Sequence, residues 1–175
     1  TYYDKTLLSF YARGNYNFDN RYLFTATVRA DGSTVFSANK KWGFFPSFSA
    51  AWRVSEEAFM KDIHWISNFK VRLGWGTVGN DNIPNYLSLD LYEANKYGLG
   101  NSSVTVLNPK QLRNKNLKWE GSNTINLGVD LGFLDNRLNV TAEFFIKNTK
   151  DLLLSQSLAH ITGFDSQMQN VGKIQ

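Results

Sequence analysis

Six stretches of this chain alternate between apolar and polar side chains, and their apolar positions carry no Asp, Glu, Lys or Arg. Side chains on an extended strand point to opposite faces at each step. A period of two therefore describes a strand whose two faces meet unlike surroundings. The first run sets Leu8, Phe10, Ala12, Gly14, Tyr16 and Phe18 against Ser9, Tyr11, Arg13, Asn15 and Asn17. The second sets Tyr22, Phe24, Ala26, Val28 and Ala30 against Leu23, Thr25, Thr27, Arg29 and Asp31. The third opposes Phe48, Ala50, Trp52 and Val54 to Ser47, Ser49, Ala51 and Arg53, and the fourth opposes Phe69, Val71, Leu73 and Trp75 to Lys70, Arg72, Gly74 and Gly76. The fifth opposes Trp119, Gly121, Asn123, Ile125, Leu127, Val129 and Leu131 to Lys118, Glu120, Ser122, Thr124, Asn126, Gly128 and Asp130. The sixth opposes Leu138, Val140, Ala142, Phe144 and Ile146 to Asn139, Thr141, Glu143, Phe145 and Lys147. Asn123 is the one strongly polar residue on any apolar face.

A soluble sandwich also gives each strand one apolar face. Three features favour a membrane setting. The runs reach about ten residues, near the ~9–11 that a tilted strand needs to cross a bilayer and above the ~5–6 common in globular sheets. Aromatic residues stand at run ends, among them Tyr16, Phe18, Tyr22, Trp52, Trp75, Trp119 and Phe133, as interfacial girdles require. Connections alternate in length. A tight Asp19-Asn20 turn is followed by a loop from Asp31 to Phe44, a connector from Ser55 to Asn68, a very long loop from Gly79 to Leu117 and a tight Asp135-Asn136 turn. Outer-membrane barrels place short turns in the periplasm and long loops outside. The expected fold is all-β, an antiparallel transmembrane barrel segment of six to seven strands.

Composition narrows the remaining choices. The 175 residues suit one domain, and no apolar stretch approaches the ~18 residues of a membrane helix. Cysteine is absent, which excludes a disulfide framework and any thiolate metal or redox site. The net charge of +4 is a modest excess compatible with a solvated surface or with anionic headgroups. Ser55 to Ile66 reads as a short helix: Ser55 at its cap, Glu56 and Glu57 at its positive end, and Phe59, Ile63 and Ile66 at helical spacing.

No constellation points to catalysis. Gly74-Trp75-Gly76-Thr77-Val78-Gly79 fits the GxGxxG pattern, but a dinucleotide site needs a helix opening within it, and here Asn80-Asp81-Asn82-Ile83-Pro84 follows. His64 and His160 lie in different connectors without an acid at metal-ligand spacing. No serine sits in a nucleophile elbow. Glu120 and Glu143 share a face, yet Arg72, Lys118 and Lys147 share it too, which suggests a charged network rather than an acid pair. Asn101-Ser102-Ser103 is a glycosylation sequon, accidental if the source is bacterial. The expectation is therefore no catalytic residue, no metal and no cofactor. Tyr86, Tyr92 and Tyr97 stand among Asn and Asp in the long loop, a mixture suited to stacking and hydrogen bonding.

Several motifs recur in a known order: Arg29-Ala30-Asp31-Gly32-Ser33, Trp42-Gly43-Phe44-Phe45-Pro46-Ser47, Ser55-Glu56-Glu57-Ala58-Phe59-Met60, Arg72-Leu73-Gly74-Trp75-Gly76-Thr77-Val78-Gly79-Asn80, Leu117-Lys118-Trp119-Glu120, Asn148-Thr149-Lys150-Asp151-Leu152-Leu153 and Asn170-Val171-Gly172. With them the chain resembles the SusC/RagA type of TonB-dependent outer-membrane transporters of the Bacteroidota. The resemblance implies a barrel of about 22 strands with a plug, of which residues 1–175 are an internal piece lacking plug and final strands. It implies active import of a glycan or oligopeptide, a SusD-like lipoprotein lid and coupling to TonB through the plug. No nucleic acid is implied. On this reading Arg13, Arg29, Arg53, Arg72, Lys118, Glu120 and Glu143 line the lumen. Phe10, Phe24, Trp52, Leu73, Leu127, Val140 and Phe144 face outer-membrane lipid, and Trp42, Tyr86, Tyr92 and Tyr97 are candidates for substrate or lid contact. The competing reading is a secreted, soluble β-sandwich that binds glycans.

The two faces make a direct prediction. A basic residue at the lipid face costs about 2–4 kcal/mol near the bilayer midplane. Val140→Arg is expected to impair assembly of the full-length parent far more than Thr141→Arg, and heat-modifiable gel mobility reads the difference. Equal impairment would contradict the facing assignment.

Overall fold

The period-two runs become a single antiparallel meander. The structure, a computed structural model, describes residues 4–100 and 102–175. The strands are β1 (Leu7–Phe18), β2 (Tyr22–Ser33), β3 (Trp42–Arg53), β4 (Ile66–Asn80), β5 (Tyr92–Leu99), β6 (Ser102–Pro109), β7 (Glu120–Phe133), β8 (Leu138–Ser157) and β9 (Ser166–Ile174). Seven form one sheet in the order β1-β2-β3-β4-β7-β8-β9, and β5 and β6 form a separate hairpin in the β4–β7 connection. The long loop thus contains a hairpin of its own.

Pairing registers align residues of like polarity. One row runs Tyr16, Phe24, Ala50, Leu73, Leu127, Phe144 across β1, β2, β3, β4, β7 and β8. The row beside it on the other face runs Asn17, Leu23, Ala51, Arg72, Gly128, Glu143. Phe10, Phe24, Trp52, Leu73, Leu127, Val140 and Phe144 are all exposed on the first face. Among the described residues no second sheet packs on this face, unlike the two-sheet architecture of a sandwich. Aromatic pairs tile its ends: Tyr22 stacks on Trp52 with centroids 6.3 Å apart, and Phe24 on Phe48 at the same separation.

The tight turns form where Asp and Asn accept left-handed backbone. Asp19 and Asn20 both have φ 52°, and Arg21 N–H donates to the Phe18 carbonyl at 3.0 Å. The second turn takes four residues rather than two, because Phe133 pairs with Leu138. Leu134 is left-handed as well as Asp135 and Asn136, an unfavourable state for leucine that is tied down by its N–H bond to Trp65 O.

Three expectations need correction. Ser55 to Ile66 is not an α-helix. Single 3-10 turns at Val54–Glu56 and Ala58–Met60 are followed by Ile66 as the first residue of β4. Here Glu57 is held by side chains rather than by a helix end: Tyr22 Oη donates to it at 2.8 Å and Trp52 Nε1 at 3.1 Å. The Tyr22 bond, then the Trp52 bond, hold this carboxyl below its ordinary range. The tie is present above the ordinary glutamate pKa and fades as pH falls through the depressed one, so it persists at neutral pH. Second, the β2–β3 loop is shorter than Asp31 to Phe44, since β2 continues to Ser33 and β3 opens at Trp42. Third, Trp119 does not join the apolar face. It lies ahead of β7, packs on Phe36 and Phe45, and donates through Nε1 to Lys41 O at 2.9 Å.

Trp119 belongs to a small core at the long-loop end. Val35, Phe36, Ile83 and Leu117 are buried there, with Leu87, Leu153 and Met168 packed around them. Fully burying Phe36 or Leu117 contributes about 1.5–3 kcal/mol each. Polar ties fix the same junction. Asn170 Nδ2 donates to Lys118 O at 2.8 Å and to Asp151 O at 2.9 Å, while Asn170 Oδ1 accepts from Lys118 N at 2.9 Å. Glu120 accepts from Asn80 Nδ2 at 3.2 Å and from Leu153 N at 3.0 Å. Asp151 (φ 57°) and Gly172 (φ 75°) are both left-handed, on β8 and β9 where those strands pair. The recurring motifs around Glu120, Asp151 and Asn170 therefore converge on one junction that anchors the loops.

Asn170→Ala removes three hydrogen bonds and is expected to cost about 1–2 kcal/mol of local stability. Limited proteolysis of the full-length parent should then cut residues 81–119 faster, with gel mobility of the assembled protein unchanged. Unaltered cleavage would show that Asn170 does not hold the junction.

Candidate functional site

The polar face carries its charges at three levels, mid-sheet and at either end. In the middle of the sheet, Arg72 on β4 reaches across two strands. Its Nε and Nη2 donate to Asp130 of β7 at 2.8 and 3.1 Å, and Nη2 also donates to Glu143 of β8 at 2.8 Å. Thr141 Oγ1 donates to the same Asp130 at 3.1 Å. Gly128 lies between Arg72 and Glu143 in the cross-strand row. A Cβ there would stand 3.0 Å from Arg72 Nη2. The glycine leaves the floor over which the guanidinium crosses.

Near the long-loop end the charges tie strand to loop. Lys118 Nζ pairs with Asp151 at 2.8 Å, and Arg29 Nε with the buried Asp31 at 2.7 Å. Arg13 donates to Thr27 at 3.1 Å in mid-sheet. At the opposite rim Arg53 pairs with Glu56 at 2.9 Å. Glu120 and Glu143 are not brought together. Glu143 faces Gly128, far along β7 from Glu120, a separation of roughly 25 Å at ~3.3 Å per residue. The network links carboxylates to cations, and Asp130 and Glu143 converge on the shared Arg72 guanidinium. Asp130, its central acceptor, was visible on the polar face of the fifth run but was not singled out. Its partner comes from 58 residues away, and spacing along the chain does not reveal such a pair.

The GxGxxG stretch lies within β4, with Gly74 and Gly76 opposite Asn126 and Thr124 on the polar face. A phosphate-binding turn is therefore ruled out by geometry. His160 stands 3.9 Å from Asp165, both almost fully exposed. Among the described residues no three His, Asp or Glu side chains converge as metal ligands would. Asn101 of the sequon lies outside the described residues.

The four aromatic candidates do not converge. Trp42 opens β3 opposite Gly32 and stacks on Phe10 at 6.1 Å. It shares the apolar face with Phe10. Tyr92 and Tyr97 are an odd number of residues apart on β5 and so occupy opposite faces of the hairpin, both more than half exposed. Tyr86 (φ 68°) lies apart from them, its hydroxyl accepting from Asp4 N at 3.3 Å and its carbonyl from Gln111 Nε2 at 2.7 Å. It lines an open cleft of about 980 Å³ with Lys40, Lys41, Asp90, Arg113 and Lys115. Arg113 is paired with Asp90. The lysines leave the cleft cationic, and the Lys40-Lys41 dyad was a sequence signal for it that the tyrosines obscured. Such a surface can bind and orient a polar ligand. It assembles no nucleophile with a base.

Comparison with known proteins agrees with this geometry. The family described as TonB dependent receptor-like, beta-barrel, matches residues 1–175. TonB-dependent receptor SusC of Bacteroides thetaiotaomicron is 42% identical over 97% of the chain, which spans 17% of that protein. TonB-dependent receptor P3 of Formosa agariphila is 37% identical over 97% of the chain and 17% of its own length. The solved RagAB peptide transporter superposes with a TM-score of 0.88 at 31% identity, covering 97% of this chain and 18% of that one. The RagAB peptide importer in its closed-closed state gives 0.87 at 32%, covering 95% and 18%. An uncovered apolar face, a charged face and this match along the full chain together identify the sequence as part of the β-barrel domain of a TonB-dependent receptor.

Proposed function

We propose that this chain is a wall segment of an outer-membrane importer for a large nutrient, a glycan or an oligopeptide. The wall works with a SusD-like lipoprotein lid and is driven by TonB acting on a plug. The carrying observation is the register: across the sheet it keeps every charged side chain of the spanning rows on one face. On this reading the charged face, from Arg13 and Arg29 through Arg53 and Arg72 to Lys118, Glu120 and Glu143, lines the lumen. The apolar face meets lipid, with Phe10, Trp52 and Val140 among its members. The Arg72 network then holds its charges in place along the path, presenting a wall that a polar substrate passes without strong binding. The relation to SusC and to the RagAB peptide transporter supports active import and leaves the substrate class open between the two chemistries.

The β5–β6 hairpin is the proposed lid contact. It stands clear of the main sheet at the long-loop end and exposes Tyr92, Tyr97, Leu99 and Leu107, each by more than half. Apolar side chains held out on a hairpin suit a protein partner better than bulk water.

Loop length sets the polarity. An epitope placed at Asn95 is expected to be labelled on intact cells, and one at Asp135-Asn136 only after permeabilisation. The reverse pattern would invert the topology. Replacing Tyr92–Pro109 with a short linker keeps Ile83, Leu87 and Leu117 in their core. It is expected to weaken lid binding about tenfold, ~1.4 kcal/mol, and to slow growth on the cognate nutrient. Normal lid binding and normal growth would remove the hairpin from the mechanism.

A further inference from the structure

The apolar face ends abruptly at the long-loop side of β4, β7 and β8. Trp75, Ile125 and Ile146 form its last apolar row there. The next outward row is Thr77, Asn123 and Asn148, and the one beyond sets Gly121 beside Lys150. Lys150 in turn is paired directly with Lys173 of β9. Two like charges opposed across a strand pair repel, with Cβ atoms only ~4.5–5.5 Å apart. Among the described residues neither lysine has an acidic partner within ion-pair distance, and both are exposed. Asp151, next in sequence to Lys150, is paired with Lys118 at 2.8 Å.

Space stands open beside this pair. The β3–β4 ladder stops at Ser47↔Gly76, one residue short of Pro46, which has no N–H to offer. Above that point β3 and β4 part, leaving a notch of about 710 Å³ lined on its apolar-face side by Phe44, Trp75, Thr77, Asn123, Asn148 and Lys150, with Asp151, already paired with Lys118, at its border. A Cβ added at Gly121 would meet nothing within 4 Å. Aromatic side chains therefore border a pocket whose next level supplies amide and hydroxyl donors and whose top supplies Lys150, with Lys173 paired beside it on β9. That sequence of levels matches an amphiphile standing beside the wall: acyl chains along Trp75, polar groups at the Asn123–Asn148 row and an anion between the lysines.

We propose that Lys150 and Lys173 clasp the phosphate of an outer-leaflet glycolipid, with Thr77, Asn123 and Asn148 binding its sugar hydroxyls. The proposal rests on the outward assignment of the apolar face, which the Val140→Arg and Thr141→Arg comparison tests separately. The anion would screen the lysine pair and pin the wall at headgroup height, just below the loops that receive the lid.

The test uses the full-length parent extracted from its own outer membrane. Native mass spectrometry reads retained lipid, and tryptophan fluorescence reads the thermal midpoint on adding phosphorylated lipid A, phosphatase-treated lipid A or inorganic phosphate. The wild type should retain phosphorylated glycolipid and gain thermal stability from phosphorylated lipid A alone. The double variant Lys150→Gln/Lys173→Gln should lose most of the retained lipid and the stability gain, whereas Lys150→Arg/Lys173→Arg should keep both. Should the double glutamine variant fail to assemble, Lys150→Gln alone is read by the same two signals. Undiminished lipid in the glutamine variants overturns the proposal. So does an equal gain from dephosphorylated lipid A, and so does a gain from inorganic phosphate that matches the lipid, which would make this a free-anion site. Loss of retained lipid with the facing comparison intact supports the clasp itself.

Discussion

Backbone pairing inside hydrocarbon admits no slippage, and this constraint governs the rest of the molecule. An unpaired peptide group in lipid costs several kcal/mol, so each strand must be bonded on both sides wherever it crosses. A shift of one residue would also turn every side chain of that strand to the wrong face. Inside the sheet, between its edge strands β1 and β9, the ladder meets both demands at once: Leu73 meets Leu127 and Phe144, while Arg72 meets Gly128 and Glu143. The charged network depends on that registry. Arg72 reaches Asp130 and Glu143 because the rows align, and because Gly128 leaves the crossing unobstructed.

Where the strands leave the bilayer, a different requirement takes over. Water now satisfies spare backbone groups, and the loops must be held by side chains instead. Asn170, Glu120 and Asp151 do this with short-range polar ties, and Phe36, Leu117 and Trp119 with a small buried cluster. Sequence motifs that mark the family therefore need not mark substrate contacts. Several of them close one joint between β7, β8 and β9.

The spanning strands were legible in the sequence because lipid and water impose opposite demands on alternate residues. Phe10, Phe24, Leu73, Leu127 and Phe144 could be placed by parity alone. The rim was less legible. Trp119 keeps the parity of the apolar face but lies outside the strand, where period two no longer determines direction. Ser55 to Ile66 has helical spacing, yet Tyr22 and Trp52 capture Glu57 and the chain turns back into β4. The β5–β6 hairpin was hidden because its strands are short, eight residues each, and only Ser103-Val104-Thr105-Val106 alternates clearly. Asp130 and the lysines of the cleft act through partners distant in sequence, and a single chain read linearly does not show those meetings.

The excursion between β4 and β7 has a consequence for the order in which the wall assembles. Most neighbours in the sheet are also neighbours in sequence, and their turns close cheaply. The β4–β7 seam instead waits for residues 81–119 to be spanned, and its Arg72–Asp130 bond joins residues 58 apart. Closing so long a loop costs about 2 kcal/mol more than closing a turn of about four residues. The segment thus divides kinetically into two units, β1–β4 and β7–β9, each able to zip from its own tight turns. Arg72 sits on one side of that seam, and Asp130 and Glu143 on the other. The pairs that look like lumen lining are also the charges that find each other when the two halves meet.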